Sequence, residues 1–421
     1  MRINQFLATF FACFVVIGCN AFNTAEPQPN QFERRDLPRA LTQQETELVS
    51  GGGRFGFDLV RRLVDKDPNG NHLVSPLSIL MAYGMTMNGA GSKTYTQMRE
   101  TFGMGGMSRE EVNQSARELM DLLVQFDDNV RFEIANAIWY RDTFSVEDEF
   151  LETNQLYYDA TIEAADFADP ETVSRINSWV DDKTGGLINN IVQGPIDPLT
   201  VMYLANAIYF KGNWTYPFDP ENTRQQPFYR SGESSVESEM MQMEQQDGML
   251  YKKGDNYEAV NLYYGDAGFA MTLVLPDESM KLEDWIGNLD WNRWQEVTEG
   301  FSETTLNLEL PKFEMEYEID AFRDVLRDMG ITDAFDPLES DFSGINPESD
   351  DLHISETRHK TFIRVDEEGT EAAAATSVGI GITSVPQTTT VRFNRPFFYV
   401  IREVESQTIL FAGTMSDPTS G

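Results

Sequence analysis

The chain has 421 residues, 41% hydrophobic and 24% charged, the composition of a globular protein long enough for one large domain or two modest ones. Sixty-nine Asp and Glu against 32 Lys and Arg give a formal charge of −37, a field that repels phosphate backbones and anionic headgroups and excludes nucleic acid as a partner. Three histidines and two cysteines leave little from which to build a His-rich metal site or a Cys/His catalytic pair, so neither metal nor cofactor is expected.

Met1-Arg2 supplies a short positive end, and Phe6 to Val16 an apolar stretch too short for a stable bilayer span. Val16-Ile17-Gly18-Cys19 closes it, so 1–18 reads as a secretory signal peptide. The ending is similar to a bacterial lipobox, which is cut before its cysteine. Cys13 is then discarded, Cys19 is lipidated and no thiol is left for a disulfide. A plain signal peptide with an incidental cysteine is the alternative. The expected location is secreted, at the cell envelope, lipid-anchored to a bacterial membrane and facing the periplasm or the exterior.

Residues 19–50 are polar, carry Pro27, Pro29 and Pro38, and read as a flexible tether. Gly51-Gly52-Gly53 lacks the Lys-Ser/Thr pair and the preceding strand of a phosphate loop, and reads as a hinge into one domain, 51–421. Helical spacing follows at Phe55 to Val64 and Ser75 to Gly89, with Ser75-Pro76 as a start signal. Arg131 to Tyr140 alternates as a strand, Val173 to Val180 is helical, and Val201 to Phe210 is an apolar run of buried-strand length. Ala259 to Tyr264, Phe269 to Leu275, Thr304 to Leu310, Val391 to Phe393, Phe397 to Arg402 and Thr408 to Thr414 all read as strands. Helices first and then mostly strands predict an α+β fold with mixed or antiparallel sheets.

One segment contradicts itself. Glu367 to Ala375 has the helix propensity of Ala and Glu, yet it continues into Thr376 to Thr383, where β-branched residues and glycines alternate. Read with period two, one face is Thr370, Ala372, Ala374, Thr376, Val378, Ile380 and Ile382, all small or apolar. The other face is small or polar. Such a segment can stand exposed as a loop and can also be buried as a central strand without an unpaired charge.

The chain resembles the serpins. The matching pieces, in family order, begin with Asn71 to Ile79, Asn136-Ala137-Ile138-Trp139 and Asn206 to Trp214. They continue with Leu310-Pro311-Lys312-Phe313, Asp341 to Ile345, His359 to Ala375 and Asn394 to Phe398, covering roughly 52 to 418. The resemblance implies three β-sheets, about nine helices and an exposed reactive-centre loop. A serine protease cuts that loop, the freed portion inserts into the large sheet, and the acylated protease is carried across and deformed. Insertion of this kind is the family's known strand-addition switch. It needs small or apolar residues at alternate positions, which Thr370, Ala372 and Ala374 supply. The chain is thereby expected to be an inhibitor rather than an enzyme.

Other residues carry over by motif. Ser75, Ser78, Asn206 and His359 match a polar cluster beneath the point where the sheet opens, and Trp214 an aromatic near its top. Glu367 matches a hinge acid, followed by Gly369, Thr370, Glu371, Ala372, Ala373, Ala374 and Ala375. Counting the family's hinge length from Gly369 puts the cut between Thr383 and Ser384, with Ile382 as a competing site. An uncharged β-branched residue there does not suit a trypsin-like pocket and favours elastase-like or subtilisin-like proteases. A papain-like cysteine protease stays open as a target, since the trap needs only an acyl-enzyme. The chain is expected to be a monomer that meets a membrane only through a lipid on Cys19.

Two other functions compete. A non-inhibitory serpin, acting as a carrier, chaperone or surface-binding module, shares the fold. A carboxylate-pair hydrolase is the other, although among so many acids no pair stands out. Nine Lys against 23 Arg, with so many carboxylates, resembles adaptation to high salt; a merely acidic extracellular surface is the alternative.

Overall fold

A computed structural model describes residues 35–124, 126–231, 234–370 and 388–420. The signal peptide, Cys19 and the first half of the tether lie outside the described residues, as do Glu371, Ala372, Ala373, Ala374 and Ala375 and the scissile candidates Ile382, Thr383 and Ser384. Among the described residues are nine α-helices and two hydrogen-bonded sheets, the α+β class that the order of elements predicts.

The first helix, Gln43–Lys66, begins inside the stretch expected to be tether. Thr42 and Glu45 form a reciprocal cap: the Glu45 N–H donates to Thr42 Oγ1 at 3.2 Å, and the Thr42 N–H to Glu45 Oε2 at 2.6 Å. Residues 43–50 therefore belong to the domain. Gly51, Gly52 and Gly53 are not a hinge; they are buried in mid-helix. Interior glycines weaken a helix by roughly 1 kcal/mol each relative to alanine. Close packing offsets this, because a Cβ on Gly53 would stand 2.0 Å from the Trp291 ring and one on Gly51 2.7 Å from Phe102 O.

The smaller sheet runs from edge to edge as Phe313–Glu318, Lys360–Val365, Gly369–Thr370, Met202–Asn213, Val130–Arg141 and Thr161–Ala165. Only the last pair is parallel. The larger sheet holds nine strands, with Phe269–Pro276, Phe397–Glu403 and Ile409–Met415 buried along their whole length. The three sheets implied by the resemblance are thus present as two networks. Strand Ser235–Gly254 joins two of them: it pairs with Arg224–Tyr229 at one end and with Tyr257–Tyr264 at the other. Its register against Ser302–Pro311 breaks between Met243 and Met249.

Helix Pro76–Gly89 is buried on nearly every side, as its largely apolar sequence requires, and packs against both Met202–Asn213 and Ile409–Met415. Ser75 caps it, Oγ accepting the Ser78 N–H at 3.3 Å. Helix Pro170–Lys183 lies on the smaller sheet over a second apolar cluster that includes Trp139, Ile176 and Ala205. Strand Met202–Asn213 corrects one expectation. Its apolar run reads as fully buried, yet buried and half-buried residues alternate along much of it.

Candidate functional site

The half-burial has a local cause. Gly369–Thr370 is a two-residue strand lodged between two much longer ones, pairing Thr370 with Val365 on one side and Gly369 and Thr370 with Asn213 and Gly212 on the other. Beyond Thr370 no ladder among the described residues joins Lys360–Val365 to Met202–Asn213. A cleft of about 30 Å³ opens there, between Asn206–Phe210 and Lys360–Ile363. Thr184, Leu187 and Ile188, following helix Pro170–Lys183, line it, as do Ser75, Ser78 and Phe411.

The predicted polar cluster is partly assembled. Ser75, Ser78 and Asn206 line the cleft. His359 is buried, and its Nε2 accepts the Ser75 N–H at 3.0 Å. Burial pushes its pKa down to about 3, so it is a neutral acceptor at physiological pH. Asn206 donates to Asn136 Oδ1 at 2.8 Å, and Asn136 donates to Tyr158 O at 2.7 Å. Asn136 was not assigned a role from sequence. The signal was there: Asn-Ala-Ile occurs at 136–138 and again at 206–208, and the two asparagines are register partners on adjacent antiparallel strands.

The segment from Asp366 to Thr370 is pinned from several directions. Trp214 stands beside it, stacked on Tyr264 at 4.4 Å, with Nε1 donating to Asp366 O at 2.9 Å and its N–H to Glu368 O at 2.7 Å. The N–H groups of Glu368 and Gly369 donate to Asp366 Oδ1 at 3.0 and 3.2 Å. Gly369 is required by approach, since a Cβ there would meet Gly212 O at 2.1 Å. The Thr370 side chain is buried, its hydroxyl 2.7 Å from that of Tyr264.

Glu367 is only 7% exposed. Burial raises its pKa, but the Thr223 hydroxyl at 2.7 Å and Lys312 Nζ at 2.9 Å more than reverse this and hold the carboxyl below its usual range. Lys312 and Asp366 lay within quoted motifs without a role, whereas nothing local marks Thr223 or Tyr264.

The arrangement holds no nucleophile with a base. The cleft continues the line of Gly369–Thr370 between two strands that have no ladder to each other. Thr389–Arg392 pairs in parallel with Leu306 to Glu309 at the edge of the larger sheet.

The family model described as "Serpin (serine protease inhibitor)" matches residues 50–418. Antithrombin-III of Mus musculus is 34% identical over 395 residues, covering 91% of this chain and 84% of that protein. The crystal structure of tengpin, a thermophilic serpin, in its native state aligns with a TM-score of 0.79 at 32% identity, covering 90% of this chain and 95% of that one. Human thyroxine-binding globulin aligns with a TM-score of 0.80 at 27% identity, covering 90% and 100%.

Proposed function

The chain belongs to the serpin family, and from that premise we propose that it inhibits serine-type endopeptidases by suicide-substrate trapping. The observation that carries the reading is the position of Thr370: buried, in strand register, at the head of a cleft between two strands without a ladder. The residues that follow in the sequence, Ala372 and Ala374 on the same period-two face, are small enough to continue that strand inward. In this reading the bond cut lies after Thr383, with Ile382 as the neighbouring choice, and the target is an elastase-like or subtilisin-like protease. The acyl chemistry belongs to the protease, and no residue of this chain is catalytic.

The same proposal places the protein outside the cytoplasm on a lipid carried by Cys19. Among the described residues no helix is long and apolar enough to cross a membrane. Fatty-acid labelling that is lost in Cys19→Ser supports the lipid; an unlabelled wild type rejects it.

Incubation with subtilisin, elastase, chymotrypsin, trypsin and papain tests the trap. A denaturant-resistant band of higher mass, with a released peptide beginning at Ser384, is expected with the first two. Clean cleavage without that band would move the protein to the non-inhibitory serpins.

A further inference from the structure

A second concavity lies on the opposite flank of helix Pro170–Lys183 from the cleft, against the edge strand Thr161–Ala165. It is an open groove of about 610 Å³, a volume within the range of small-ligand sites. Trp139 and Glu163 are register partners on adjacent strands and form one wall with Thr161. Glu171, Ser174, Ser178 and Asp182 recur every three or four residues along the helix and form the other, a stripe about 16 Å long at 1.5 Å per residue. Trp179 closes the corner, its ring 5.1 Å from that of Trp139 at 83°.

The groups are mixed in kind. Trp139 is 2% exposed, and its indole N–H donates to nothing among the described residues. Glu171 and Asp182 are exposed and make no ion pair among those residues. Arg175 is held 3.3 Å from Glu163 and 3.2 Å from the Thr172 hydroxyl. A polyanion would face three carboxylates here. A polycation would satisfy Glu171 and Asp182 but would meet the guanidinium and leave the indole donor unpaired. A chain that offers hydroxyl donors, hydroxyl acceptors and an apolar ring face satisfies all of them.

We propose that this groove binds a short neutral oligosaccharide, its ring faces against Trp179 and its hydroxyls shared between the Trp139 N–H and the serine and carboxylate stripe. The proposal stands independently of whether the loop traps a protease.

Titration of the full chain with maltotriose, cellotriose and triacetylchitotriose, followed by tryptophan fluorescence and calorimetry, tests it. Saturable binding of at least one trisaccharide is expected, equal at low and molar salt. Asp182→Ala and Ser178→Ala, both at exposed positions, should each weaken it by about tenfold, the scale of one lost hydrogen bond to a charged or desolvated partner. No saturable binding by any of the three overturns the proposal. So does binding that both variants leave unchanged, or binding of spermidine alone that vanishes in molar salt, which would make the groove a counterion patch.

Discussion

Lys312 Nζ lies 2.9 Å from Glu367, joining the start of the edge strand of the smaller sheet to the hinge 55 residues later. This contact and the Thr223 hydroxyl are what keep a carboxylate charged at a nearly buried position. Removing the cation strands that charge.

Lys312→Ala should therefore destabilise the protein by about 2 kcal/mol at neutral pH, in the range for a partly buried ion pair losing one partner. Lys312→Met combined with Glu367→Gln should recover part of this, because no charge is then left unpaired. Because the folded pKa of Glu367 is depressed, its stabilising contribution is present above the unfolded pKa and is lost as pH falls through the folded one. The deficit of Lys312→Ala should accordingly shrink in acid. Urea unfolding of the three proteins at several pH values checks it; equal stability at pH 7 would remove the clamp.

Thr370→Arg places a charge where the native side chain is buried against the Tyr264 hydroxyl. The variant should be cleaved by subtilisin at the wild-type rate, yet form no denaturant-resistant complex. Thr370→Val should keep the complex and lose about 1 kcal/mol for the orphaned tyrosine hydroxyl. A gel of the covalent products separates the two outcomes, and a complex formed by the arginine variant contradicts the strand role of Thr370.

Acid should destabilise the fold earlier than carboxylates alone would. Burial holds His359 at about 3 and His72 at about 4, against 6.5 for an exposed imidazole. Between those folded values and about 6.5 only the unfolded chain binds these protons, so stability is complete above about 6.5 and falls as pH drops below it. His359→Gln, which keeps an acceptor toward Ser75, should flatten the slope by roughly one proton. Unfolding free energy measured from pH 7.5 to 4.5 reads that slope directly, and a flat wild-type profile between 6.5 and 5 counts against both buried histidines.

Gly53→Ala sets two effects against each other. Helix propensity favours alanine by roughly 1 kcal/mol. The new methyl would sit 2.0 Å from the Trp291 ring, and overpacking of a filled core costs about 1–3 kcal/mol. Strain should win, lowering the thermal midpoint; a higher midpoint would mean that the Trp291 ring yields easily.

Salt should raise the thermal midpoint. Glu314–Arg364, Glu316–Lys360 and Glu318–Arg358, at 2.7, 2.8 and 3.0 Å, lace the edge strand to its neighbour and will weaken in salt. Pairs this exposed contribute little, about 0–1 kcal/mol each. Self-repulsion at a net charge of −37 extends over about 10 Å at 0.1 M ionic strength and about 3 Å at 1 M, and its relief should dominate. Scanning calorimetry across that range decides the point, and an unchanged midpoint rejects adaptation to high salt.

Much of this molecule was legible in the chain. Strand signals located Val130–Arg141, Tyr257–Tyr264 and Phe269–Pro276 to within two residues, because alternation in the first and β-branched or aromatic runs in the others are written locally. The small-residue face beginning at Thr370 was equally local. Three consecutive glycines suggest a hinge, yet they lie in mid-helix, since glycine signals either freedom or close approach and only the neighbour decides which.

What the sequence determined by itself was a family, a set of strands and a segment chemically fit for two environments. The tertiary structure alone decided where the sheet is open. Each flanking strand satisfies its own local pattern equally well whether or not the other lies beside it, so the gap between Asn206–Phe210 and Lys360–Ile363 is a property of their placement and of neither strand. The hinge clamp has the same character. Thr223 and Lys312 reach Glu367, and Tyr264 reaches Thr370, from distant stretches of chain, and only packing could bring each buried group to its partner.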